Sequence, residues 1–318
     1  MANAISGYLK DKTNLWILYF IILGIIQALW TNTSSFPPLP LRVAMLAAVF
    51  APLLIKKEYI LFVFPFFMIL RSQLSTDYQY LPDIYSYHFY IALILIFLAV
   101  HRIKLTKTYV KYFGPLIIIC VYFFLLDACA TPEIGPYVIH IFIALLLALF
   151  VKNRNDVNIL SASLIAACAL LSIYYILMYD QFLESWNKAE GIDRSGWTDP
   201  NYFAILLSYG LMISIGYILN YLKCSWVLFN KKLLAIFCCC IYTAIILTAS
   251  RAGFISATII SLYALIKSKP KLSTVLVFLI ITVGFISILY YNGIFDTLFF
   301  RLFEQGNLDT GGDRTTIW

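Results

Sequence analysis

Long apolar blocks, separated by short polar stretches, recur along the whole chain. The pattern predicts eleven membrane-spanning segments, at 14–32, 39–55, 58–72, 84–100, 112–129, 136–151, 158–179, 201–222, 233–249, 252–266 and 272–291. The third reads as the weakest, being short and interrupted by Pro65. A hydrophilic stretch, 292–318, follows the last of them. In lipid every backbone polar group must be satisfied internally, which restricts spanning structures to helices and closed barrels. The short alternating segments of a barrel are absent. The expected fold is therefore all-α. It is a polytopic integral membrane protein with about 11 transmembrane helices in 1–291, plus an interfacial amphipathic helix that starts a periplasmic loop in 292–318.

Composition strengthens this reading. The 318 residues are 62% hydrophobic and 12% charged, against roughly 25% charged in soluble domains. The polar N-terminus MANAISGYLKDK runs straight into the first span with no small-residue cleavage site, as a retained anchor would. The seven cysteines, including Cys238, Cys239 and Cys240, lie in or beside apolar spans and form no C-x-x-C pair, which fits small buried hydrophobes.

Charge then orients the chain. With the N-terminus in the cytosol, 16 of the 23 Lys and Arg fall on the inner side, and only three of the 16 acids do: Asp11, Glu58 and Asp156. Every short inner loop is basic, as the positive-inside rule requires. The same rule resolves the stretch LTASRAGFI, where Arg251 sits between two uncharged runs. Residues 233–266 as one helix would span about 51 Å against ~30 Å of hydrocarbon. One helix would also put Lys231 and Lys232 on the opposite side from Lys267 and Lys269. Two short helices joined by a tight hairpin at Ser250-Arg251-Ala252-Gly253 keep both basic ends inside, with Arg251 at the outer rim. The outer basic residues are six Arg (Arg42, Arg71, Arg194, Arg251, Arg301, Arg314) and Lys188. Arginine suits bidentate contact with phosphate, so the outer face hints at a phosphate-bearing ligand, or else at scattered ion pairs with the outer acids.

Three outer segments carry candidate chemistry, each with a plainer alternative. In GWTDPN, Asp199 caps the eighth helix and Pro200 suits its first turn; Asn201 has no such role and could bond a sugar or phosphate oxygen. In DYQYLPDIYSYHFY, five tyrosines, Tyr78 and Tyr80 among them, form either an aromatic belt or a platform for sugar rings, to which Trp186 and Trp197 could add. In FDTLFFRLFEQ, Phe295, Leu298, Phe299, Leu302 and Phe303 share one helix face, with Arg301 and Glu304 near the polar side. The following GNLDTGGDRTTIW is turn-rich and charged at Asp309, Asp313 and Arg314. The chain has no phosphate-binding loop, no H-E-x-x-H and no Cys/His cluster, which leaves no sequence case for a P-loop ATPase or a metal site. Neither a cofactor nor a nucleic acid is implied.

Taken together, LTASRAGFISATI (247–259), GWTDPNYFA (196–204) and FFRLFEQGNLDTGGDRTTIW (299–318) resemble the O-antigen ligase/polymerase superfamily of bacterial inner-membrane glycosyltransferases. The resemblance covers about 120 residues. It implies a glycan donor on undecaprenyl diphosphate, a second glycan or a lipid A core as acceptor, membrane lipids around the protein and a chain-length regulator as a possible partner. It implies metal-independent, inverting transfer at the periplasmic face. Arg251, with Arg314 and Arg301, would hold the leaving diphosphate, while Asp199, Asn201, Trp197, Tyr78 and Tyr80 would shape the glycan end. Relatives continue past the Arg-x-x-x-Trp stretch, and ligases carry a later histidine, so the resemblance makes this chain look C-terminally truncated. Glu304, Asp309 and Asp313 are then the carboxylates at hand for a base. The alternatives are a lipid-linked glycan flippase or other secondary transporter, and an inactive truncated relative. The ionisable residues within spans, Arg42, His88, Asp127 and His140, lie toward outer ends, which favours an outer-face site over a midplane path.

Overall fold

The computed structural model describes residues 12–31, 38–73, 87–104, 106–129, 135–179, 200–248, 250–268 and 287. Every regular element among them is helical: α1 (Lys12–Thr31), α2 (Leu39–Ile55), α3 (Ile60–Gln73), α4 (Tyr87–Val100), α5 (Lys107–Cys129), α6 (Gly135–Ala148), α7 (Arg154–Leu177), α8 (Pro200–Ile218), α9 (Lys231–Leu247) and α10 (Arg251–Ser268). Single 3₁₀ turns, Lys57–Tyr59 and Val227–Phe229, precede α3 and α9. These ten helices match the first ten apolar segments one for one. The eleventh, 272–291, and the amphipathic stretch at 295–305 lie outside the described residues.

The differences are at the ends, where capping extends or stops a helix independently of hydropathy. Helix α5 starts at Lys107 rather than 112, because Thr106 caps it: its hydroxyl accepts the Tyr109 N–H at 3.1 Å. Helix α7 starts at Arg154 because Asn153 and Asp156 form a reciprocal box. The Asp156 carboxylate accepts the Lys152 and Asn153 N–H groups at 2.8 and 3.1 Å, and the Asn153 side chain accepts the Asp156 N–H at 3.1 Å. Helix α8 stops at Ile218 because Asn220 turns left-handed, at φ 63°. The Tyr221 N–H then bonds the Gly216 carbonyl at 3.0 Å, a Schellman closure. Arg102, at φ 50°, closes α4 the same way, with the Ile103 N–H on the Leu98 carbonyl at 3.0 Å.

The chain divides into two compact units, 1–167 and 168–318. In the first, α1 packs on α3, α4 on α6 and α5 on α6. Its core is aromatic. Phe20, Phe62, Phe66 and Phe67 are fully enclosed, with Phe66 5.1 Å from both Phe62 and Phe67. Pro65 does not break α3; the residues on both sides of it form the most deeply buried run among the described residues. In the second unit, α8 packs on α9 and α10, and α9 on α10. Two of its close helix approaches are made at glycines, Gly210 and Gly253. A methyl added at Gly210 would lie 2.5 Å from the Cys168 Cβ.

One helix, Arg154–Leu177, is long and apolar enough to cross a membrane by itself, and it is mostly buried. Six shorter apolar stretches, Thr13–Leu29, Pro40–Ile55, Tyr90–Val100, Tyr109–Tyr122, Tyr202–Ile218 and Ala252–Ser268, accompany it among the described residues.

Hydrogen bonds tie helix ends together within each unit. Just past the end of α4, the His101 ring nitrogen lies 2.8 Å from the carbonyl of Leu53, near the end of α2. Near the start of α5, the Tyr109 hydroxyl donates to the carbonyl of Leu145, near the end of α6. In the second unit, Tyr221, just past α8, pairs its hydroxyl with that of Tyr263, near the end of α10, at 3.2 Å.

Candidate functional site

The stretch that raises the sharpest question in the sequence, LTASRAGFI, forms the expected hairpin. Helix α9 ends at Leu247 and α10 begins at Arg251, so two helices antiparallel in sequence meet over three residues. Side-chain oxygens on either side of the turn take over the hydrogen bonding the helices lose. The Thr248 hydroxyl donates back to the Ile245 carbonyl at 2.7 Å and accepts the Ser250 N–H at 3.2 Å. Ser250 is the N-cap of α10: its hydroxyl accepts the Gly253 N–H at 3.2 Å, and its carbonyl accepts the Phe254 N–H at 2.9 Å. Thr248 and Ser250 are both buried. Arg251 is thus the first residue of a capped helix, next to a turn braced by the Thr248 and Ser250 hydroxyls.

Gly253 explains why the hairpin sits against α8. A Cβ at this position would overlap the Ala204 methyl, so only glycine lets the first turn of α10 approach the first turn of α8 this closely. Helix α8 begins at Pro200, a residue whose fixed φ and missing N–H suit the first helical position. Two helix N-termini therefore lie side by side at the same end of this unit. Both carry the partial positive end of a helix dipole, which attracts anions.

A third helix end joins them. The Tyr175 hydroxyl, from the last turn of α7, donates to the Leu247 carbonyl at 3.1 Å. Its ring is fully buried, 5.2 Å from Phe203 and 5.9 Å from Tyr179. Lower in the same unit, the hydroxyls of Ser172, Ser208 and Ser214 each donate to a carbonyl four residues back, at 2.7–2.8 Å, so these polar groups are satisfied within their own helices.

Of the residues singled out from sequence, the structure brings Arg251 and Asn201 to these adjacent helix starts by their backbone positions. Nothing is described of their side chains. Tyr78, Tyr80, Trp197, Asp199, Arg301, Glu304, Asp309, Asp313 and Arg314 lie outside the described residues. Among the described residues, no group of three or more His, Cys, Asp or Glu could hold a metal ion. Tyr175, Thr248 and Ser250 were missed. For Ser250 the signal was present, since a serine just before an apolar helical run is an N-cap candidate. For Tyr175 it was not, because its partner is 72 residues away.

No protein-family model, curated protein or solved structure matches this chain. The functional reading accordingly rests on the sequence motifs and on the geometry of the hairpin.

Proposed function

We propose that the chain is a polytopic membrane glycosyltransferase of the bacterial inner membrane, of the O-antigen polymerase or ligase kind, acting at the periplasmic face. It transfers a glycan from undecaprenyl diphosphate to a second glycan or a lipid A core. The observation that carries this reading is the hairpin: Arg251 opens α10 at a capped turn, beside the start of α8.

Three features support the membrane part. Large apolar side chains are exposed along several helices, among them Leu29, Ile118, Leu177, Ile259 and Ile266, a pattern that water penalises and lipid does not. Close contacts in the second unit use Gly and Ala, as helix packing in lipid favours. Basic residues stand at alternate helix ends along the sequence, at Lys56, Lys57, Lys104, Lys152, Lys223, Lys231, Lys232 and Lys267.

The chemistry follows from charge. An acceptor hydroxyl attacks the anomeric carbon, the bond from that carbon to the phosphate oxygen breaks, and the lipid diphosphate leaves with its negative charge. Arg251 and the two helix N-termini stabilise that charge through fixed positive groups, which cost no reorganisation during reaction. Arg314 and Arg301 complete the clamp, Asp199, Asn201, Trp197, Tyr78 and Tyr80 contact the glycan, and Glu304 or Asp313 takes the acceptor proton.

The test is Arg251→Ala in cells that make a lipid-linked repeat. The expected result is repeat accumulating in the outer leaflet with transfer lost. Accumulation in the inner leaflet would sink the transferase reading in favour of a flippase.

A further inference from the structure

We infer that Tyr175 is the positioning residue for Arg251, acting through the end of α9. This deepens the proposed reading and rests on it for its activity arm alone. The last carbonyls of a helix have no partner within it, and in an apolar setting an unpaired one is costly. The Tyr175 hydroxyl supplies a partner to Leu247, at 3.1 Å. Leu247 is followed directly by Thr248, whose hydroxyl bonds both backward to Ile245 and forward to Ser250. Ser250 in turn caps the helix that Arg251 opens. These hydrogen bonds lead from α7 through Leu247, Thr248 and Ser250 to the first turn of α10, which Arg251 opens. The phenol reaches the hairpin from outside it, so it ties the turn to a third helix. The ring itself is held independently, against Phe203 and Tyr179. Removing the oxygen alone therefore loosens the turn while leaving the packing in place.

The experiment is Tyr175→Phe, read in the full chain by hydrogen exchange and by transfer kinetics. Exchange of the amides in 248–254 is expected to rise about five- to tenfold, as loss of one hydrogen bond implies, while exchange in 157–166 stays at the wild-type rate. Transfer is expected to fall in kcat by a similar factor with KM unchanged. In the Arg251→Lys background the same change is expected to add little, because both act on one group. Unchanged exchange at 248–254 would overturn the proposal, and so would a fully additive loss in the Arg251→Lys background. Faster exchange in a chain whose wild type transfers no glycan would leave the positioning role standing and remove the glycosyltransferase reading.

Discussion

The contact that centres the first unit and the one that seats the hairpin in the second are built differently. In residues 1–167, α1 and α3 meet through rings: Trp16, Phe20, Tyr59, Phe62 and Phe66 lie within 5.1–6.1 Å of one another in sequence across the pair. In residues 168–318, α8 meets α10 at Gly253 and Ala204 and the middle of α7 at Gly210 and Cys168, where backbones approach closely, and it meets the end of α7 through Tyr175 and Phe203. Rings fill volume and can turn or slide. Backbone contacts at glycine leave no such freedom, and they fix the position of each residue that follows. The hairpin that begins at Thr248 is built on the second kind, which suits a group that must be held rather than merely buried.

Substitutions can break this contrast. The largest effect is expected for Phe66→Ala, which empties a fully enclosed ring site and should lower stability by about 3–5 kcal/mol, read by thermal unfolding in detergent; Phe66→Leu should recover most of it. Next comes a paired measurement. Gly253→Ala sets a methyl against the Ala204 Cβ, which cannot rotate away, and should cost about 1–3 kcal/mol. Gly24→Ala meets the edge of the Phe66 ring and should cost less, since a ring can shift. If the two cost the same, the distinction between the two contacts is wrong. Asp156→Ala removes the box at the start of α7 and should cost about 1 kcal/mol. The smallest effect has the opposite sign. Arg102→Gly relieves a left-handed residue and should stabilise by about 1 kcal/mol.

The sequence pattern was most informative where a long apolar run coincided with a helix. Ten helices follow the segments marked by hydropathy, and the break at Thr248–Ser250 was legible from length and charge together, because one unbroken helix would have been too long and would have put Lys231 and Lys267 on opposite sides. It was least informative at helix ends. Lys107 and Arg154 are helical although charged, since hydrogen bonding continues past the apolar stretch until a cap stops it. Pro65 made α3 look weak. A proline removes one hydrogen bond and bends a helix, but here the flanking Phe and Leu side chains are enclosed on all sides and hold it. For the site, Arg251 was legible as a lone charge between apolar runs. The bond from Tyr175 to Leu247 was not, because nothing local in either segment signals it.

The central claim is that Arg251 stands at the outer rim of a membrane hairpin. The most direct measurement replaces the seven native cysteines, introduces Arg251→Cys or Lys267→Cys, and treats whole cells with a maleimide that cannot cross the inner membrane. The account expects label at 251 and none at 267. Label at 267 but not 251, or at neither position until the membrane is permeabilised, would contradict it.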